Sequence, residues 1–157
     1  MAKYGIGFNV KEEGKLNQLS GSDVVNIFEQ ALQAGAAVAS DHMKSNVPRP
    51  SFVSQVRVTK PYVTPSDGAI TQKVYPGGYL PFRGNRKTFK RRGRKGGAVY
   101  TTTEGVPTNF VANCFVYGRP NGRPFPRNSA FITGVNKNRV ESAMKERFEK
   151  LLQGRFK

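Results

Sequence analysis

Apolar residues recur at steps of three and four in two stretches of the chain and at steps of two in several others. Val24, Phe28, Ala31, Leu32, Gly35, Val38 and Ala39 make a helical face, which predicts a first amphipathic helix. Ser20-Gly21-Ser22-Asp23 ahead of it supplies N-cap chemistry. Asn46-Val47-Pro48-Arg49-Pro50 ends it, because the residue before a proline avoids helical angles. The middle of this helix is small: Ala31, Ala34, Gly35, Ala36 and Ala37. A helical glycine costs about 1 kcal/mol relative to alanine, so Ala31, Gly35 and Ala36 are expected where another backbone approaches closely. A second helix is predicted at about Lys137 to Leu152, with Val140, Met144, Phe148 and Leu151 as its stripe. Asn138 with Glu141 resembles a capping box, Glu141–Lys145 and Glu146–Lys150 are oriented as i,i+4 pairs, and Gly154 closes the helix.

The period-two stretches predict strands. Tyr4, Ile6, Phe8 and Val10 alternate with small or polar residues, and polar Lys11 to Gly21 follows as a connector. Phe52, Ser54, Val56 and Val58 face one way, opposite Val53, Gln55, Arg57 and Thr59. Pro61 to Gly68 reads as a turn, Ala69 to Tyr75 and Ala98 to Thr103 as strands, and Phe110 to Tyr117 as another, with Phe110, Ala112, Cys114 and Val116 on one side. The strands follow one another closely and lack helical crossovers. This predicts the α+β class: a mostly antiparallel sheet of about four to five strands, packed with two amphipathic helices, plus a long basic loop. With 157 residues a single domain (1–157) with a short tail at 153–157 is expected, long enough to bury a core without metal or disulfide.

Composition narrows the function. Lys and Arg number 26 against 10 Asp and Glu, a net charge of +16, and such a charge seeks a negative partner. No apolar run approaches the eighteen or so residues of a spanning helix, and Met1 to Val10 holds no continuous apolar stretch of the kind a secretory signal has. Cys114 and His42 are the only residues of their types. A disulfide, a cysteine zinc site, a multi-histidine metal site or a nucleophile–histidine triad therefore has almost nothing to draw on. Cys114 is expected as a buried structural thiol and His42 as a surface or helix-end residue. The acids are scattered, and neither Gly5-Ile6-Gly7 nor Gly77-Gly78 extends to a phosphate loop. No catalytic residue, metal or cofactor is expected.

Gly77 to Gly97, GGYLPFRGNRKTFKRRGRKGG, is the anomaly. It holds Arg83, Arg86, Lys87, Lys90, Arg91, Arg92, Arg94 and Lys95, eight cations with no acid, between the glycine pairs 77–78 and 96–97. A loop of about twenty residues is uncommon in a compact domain and is usually functional or disordered. The guanidinium forks suit phosphate oxygens, in sequence-blind contact. Tyr79, Phe82 and Phe89 are placed either to stack or to anchor the arm. A solvated loop, or one docking an acidic patch of a neighbour, fits the same composition.

Two stretches carry a likeness. One is Ala31-Leu32-Gln33-Ala34-Gly35-Ala36, then Val38 and Asn46-Val47-Pro48. The other is Ala112-Asn113-Cys114-Phe115-Val116-Tyr117-Gly118, then Arg123-Pro124-Phe125-Pro126-Arg127-Asn128-Ser129-Ala130-Phe131, then the terminal amphipathic helix. In this order, over most of Ser20 to Leu152, the chain resembles the small neck proteins of tailed phages, the head–tail joining or tail-completion family. It departs from the family pattern at Pro50-Ser51-Phe52, at Val116 and Arg119 around Tyr117-Gly118, and in its longer basic loop. The resemblance implies a structural virion protein, assembled in the bacterial cytoplasm. It would form a homo-oligomeric ring, typically six-fold, between the capsid connector or adaptor and the tail-tube or terminator proteins. Tail completion, head closure and tail termination all remain open.

Tyr117, Gly118, Arg123, Pro124, Phe125 and Arg127 are then the expected ring-interface residues. A Phe held between prolines has little flexibility to lose, although Phe125 fits equally as an anchor of the last helix on its own core. Six basic arms around a pore would offer packaged double-stranded DNA many weak contacts. The rival reading is a basic RNA-binding protein of ribosomal type, which charge, size and the Arg/Gly-rich loop also fit. A small hydrolase or nuclease lacks a clustered acid–histidine constellation.

Overall fold

The computed structural model describes residues 18–92, 99–118 and 128–156. The expected strand from Tyr4 to Val10 lies outside them. The chain divides into two compact units, each assembled from separated segments: Met1–His42, Val58–Val74 and Val135–Lys157 in the first, Met43–Arg57 and Tyr75–Gly134 in the second.

In the first unit two helices lie antiparallel. Helix α1 spans Gly21–Ser45, its final residues belonging to the second unit. The last helix, α4, spans Lys137–Arg155, running through the expected stop at Gly154 and most of the expected 153–157 tail to a C-cap at Phe156, since Gly154 takes no left-handed backbone. Ser20 caps α1, its Oγ accepting from the Asp23 N–H (3.2 Å) and donating to Asp23 Oδ2 (2.7 Å). Ile27, Ala31, Phe148 and Leu152 form the buried core of the pair, with Leu19, Phe28 and Leu151 packed against it. Phe28 and Phe148 stack tilted at 5.2 Å. Farther along α1, Gly35 meets Met144 and Val140: a Cβ on Gly35 would stand 2.5 Å from Met144 Cγ. Outer contacts follow the same antiparallel order, Arg155 with Asp23 at 3.0 Å and Arg147 with Gln30 at 2.9 Å.

The N-cap of α4 is Asn136, whose side chain accepts from the Arg139 N–H, not the expected Asn138. Asn136 has extended backbone, which an N-cap needs and a residue inside the helix does not offer. Among the described residues the ion pair along α4 joins Lys145 to Glu149 at 3.9 Å, in place of the expected Glu141–Lys145 and Glu146–Lys150 pairs.

The first unit also holds a hairpin tip. Strands β2 (Tyr62–Val63) and β3 (Ile70–Thr71) pair antiparallel, Tyr62 with Thr71 and Val63 with Ile70. The turn is closed by Gly68 N–H to Thr64 O at 2.9 Å, with Gly68 at φ +67°, and by Asp67 capping the Ala69 N–H. Strands β1 (Val56–Val58) and β4 (Val74–Pro76) form the stem sheet. The expected Ala69–Tyr75 strand is thus broken in two.

The second unit departs further from expectation. Pro50–Gln55 is a 3-10 helix, not a strand. Pro50 starts it from an extended Arg49, and the turn drives Phe52 inward, edge-on to Phe115 (6.0 Å) and Phe131 (6.4 Å). Burying that ring outweighs the alternation that predicted a strand. Phe110 to Tyr117 is likewise helical: α2 spans Thr108–Tyr117 and buries Thr108, Ala112 and Phe115, the i, i+4 and i+7 positions of a helical face, together with Cys114. Gly118 (φ +81°) ends it, its N–H bonded to Cys114 O. A short helix α3 spans Ala130–Thr133.

The remaining strands are β5 (Tyr79–Leu80), β6 (Phe89–Arg92), β7 (Val99–Thr102) and β8 (Val106–Pro107). The class is α+β. The single four- to five-stranded sheet expected from the sequence is instead a set of two-stranded sheets, β1-β4, β2-β3, β5-β8 and β6-β7. Among the described residues no helix is long and apolar enough to cross a membrane.

Candidate nucleic-acid interface

Two parts of the basic segment are paired as strands of a ribbon. β5 pairs with β8 (Tyr79 with Pro107, Leu80 with Val106), and β6 pairs with β7 farther out (Phe89 with Thr102, Lys90 with Thr101, Arg91 with Tyr100, Arg92 with Val99). The two tiers belong to one antiparallel excursion, offset by the longer connection on the β5–β6 side, where Gly84 turns at φ +63°. At the opposite corner Gly105 (φ +146°) lies so close to β5 that a Cβ there would collide with the Leu80 carbonyl oxygen. At the base, the Gly77 N–H donates to Gln55 O at 2.8 Å and the Thr108 N–H to Gly78 O at 3.0 Å. The first glycine pair is therefore pinned to the 3-10 helix and to the start of α2.

Alternation across the ribbon divides its paired residues between two faces. Phe89 and Thr102 are buried, and Phe89 stacks on Phe110 with centroids 5.1 Å apart. Phe89 is thus an anchor, not a stacking platform. The Tyr100 hydroxyl, two residues along the same face, meets the Tyr79 hydroxyl at 3.3 Å. This hydrogen bond, then the charge on Tyr79, raises the Tyr100 phenol above its ordinary value, with smaller contributions from desolvation and Glu104. On the other face Lys90, its neighbour Thr101 and Val99 are exposed.

Of the expected phosphate-contact residues, Arg83, Arg86 and Lys87 are exposed on the β5–β6 connection and Lys90 on β6. The backbone of Arg91 and Arg92 completes β6, and Arg94 and Lys95 lie outside the described residues. No acid occurs from Gly68 to Thr103, and Glu104, at the β7–β8 corner, is the first to follow. Sequence reasoning missed the neutral strand Val99–Thr102 as part of this site. The signal was the Tyr-Thr-Thr run, strand-forming and free of charge, facing a run of cations of similar length.

Of the expected ring-interface residues, Tyr117 ends α2 as an exposed ring (67% exposed) and Gly118 caps that helix. Arg123, Pro124, Phe125 and Arg127 lie outside the described residues. Ala31, Gly35 and Ala36 are buried on α1. His42 is half-buried near the end of α1, and Cys114 is a buried thiol. Among the described residues no three His, Cys, Asp or Glu side chains gather as a metal site would require. No protein family, curated protein or solved structure matches this chain.

Proposed function

We propose that this chain is a non-enzymatic structural protein of a tailed-phage virion. It forms an oligomeric ring in the neck, joining the head connector to the tail, and presents a basic ribbon to DNA or to an adjacent ring. The ordered likeness from Ser20 to Leu152 supports this reading. So do the exposed apolar side chains available for subunit contacts, among them Val25, Val53, Val58, Val63 and Tyr117. The observation that carries it is the cation-rich ribbon: exposed Arg86, Lys87 and Lys90 on and beside a short, pinned β-hairpin, which repetition around a pore would turn into a positively charged collar.

A second reading, a basic RNA-binding protein of ribosomal type, draws on Tyr100. This ring is 53% exposed beside the cations, and exposed aromatics of this kind stack on unpaired bases. Negative-stain microscopy of the purified chain, alone and mixed with a connector, separates the two. Ring particles are the expected result. A strict monomer that needs RNA for solubility overturns the neck reading in favour of the second.

A further inference from the structure

The neck reading leaves the ribbon's occupant open between DNA and an acidic protein face. We infer that the outward face of the β6–β7 ribbon, with the exposed Arg86 and Lys87 beside it, seats in a groove of duplex DNA. The inference rests on the neck reading only for the choice of DNA as the duplex.

Three observations carry it. The first is the chemistry of the face. Lys90 stands across from Thr101, and Arg86, Lys87 and Thr88 precede it, all exposed. Lysines and short hydroxyl side chains are the donors that hold phosphate and sugar oxygens. The centre of a protein–protein interface, in contrast, is depleted of Lys and built on large anchors. The ribbon's buried ring is turned to other work, Phe89 stacking on Phe110.

The second observation is size. The ribbon is two strands broad, with about 5 Å between the strands. The DNA major groove, about 12 Å wide, admits a two-stranded ribbon. The third is preorganisation. Pairing with β7 and the two aromatic contacts hold the face before a ligand arrives, so less ordering entropy is lost on binding. On α4, by contrast, Lys145 and Lys150 stand among Glu141, Glu146 and Glu149, whose charges offset theirs.

The test is titration of a short mixed-sequence DNA duplex with the full chain across a range of salt concentrations. Alongside the parent, three variants are measured: Arg86→Gln/Lys87→Gln/Lys90→Gln, its charge-preserving counterpart Arg86→Lys/Lys87→Arg/Lys90→Arg, and Lys145→Gln/Lys150→Gln. The neutral triple is expected to flatten the slope of log Kobs against log salt by about 0.9 for each phosphate it no longer neutralises. The charge-preserving triple and the α4 pair are expected to keep the parent slope.

Parallel titrations use polyglutamate and single-stranded oligothymidine. An unchanged duplex slope in the neutral triple, or a loss of polyglutamate binding alone, overturns the inference. Tighter binding of oligothymidine than of duplex overturns it too. Particle size is read on the same samples. A monomer that shows the expected slopes keeps the ribbon inference and ends the ring reading. Rings whose duplex affinity ignores the triple do the reverse.

Discussion

Gly35→Ala tests how closely the two long helices approach. The new Cβ would stand 2.5 Å from Met144 Cγ, 2.9 Å from Met144 Sδ and 3.1 Å from Val140 Cγ1. Both neighbours are buried, Met144 at 3% and Val140 at 5% exposure, so neither swings into solvent without uncovering core. Replacing a helical glycine with alanine gains about 1 kcal/mol of helix propensity. Forcing a methyl group into a filled core costs about 1–3 kcal/mol, toward the lower end here because a methionine adapts better than a branched side chain. The expected net effect is a destabilisation of about 0–2 kcal/mol.

The decisive measurement is the double-mutant cycle. Met144→Ala alone is expected to cost about 2–5 kcal/mol. In that background the two closest atoms are gone and Val140 Cγ1 at 3.1 Å is the one left, so Gly35→Ala should stabilise by up to about 1 kcal/mol. Urea unfolding followed by far-ultraviolet circular dichroism suits this protein, whose sequence has no Trp for fluorescence, and tyrosine fluorescence as a second probe checks that the transitions coincide. If Gly35→Ala stabilises the parent, or changes both backgrounds equally, the close approach is refuted.

Two further outcomes follow from the ribbon. Gly105→Ala drives a Cβ into the Leu80 carbonyl oxygen at a positive φ. It should destabilise the protein by roughly 1–3 kcal/mol, whereas the open position Gly21→Ala, with nothing within 4 Å of its Cβ, should cost far less in the same unfolding assay. Tyr79→Phe removes the hydroxyl that holds Tyr100 protonated, so an ultraviolet titration should show the latest-ionising tyrosine shift back toward the ordinary value. Because the folded state raises this acid's pKa, the hydrogen bond supports the ribbon fully below the ordinary value of 10.0 and fades as pH climbs through the raised one; an unchanged titration curve would exclude it.

The two long helices were legible in the residues alone. Their three-and-four spacing persists over many turns, and such local periodicity needs no knowledge of what lies across the core, although α4 is capped at Asn136 and Phe156 and not at the expected Asn138 and Gly154. The basic character of residues 77–97 was equally legible, since charge is a sum over the sequence. Short elements were a different matter. Phe110, Ala112, Cys114 and Val116 alternate as a strand would, yet Thr108, Ala112 and Phe115 also lie on one helical face. A segment of this length satisfies both periods, and burial against Phe52 and its neighbours selected the helix.

The same holds for Phe52, whose ring is buried by a 3-10 turn that no spacing rule distinguishes from the start of a strand. Pairing partners were also beyond local reading. That Lys90 stands opposite Thr101, and that Phe89 turns inward while Lys90 turns out, depends on residues brought together across the ribbon. Register and burial are properties of two segments at once, so tertiary structure alone settled which side of the cationic segment is anchored and which is open.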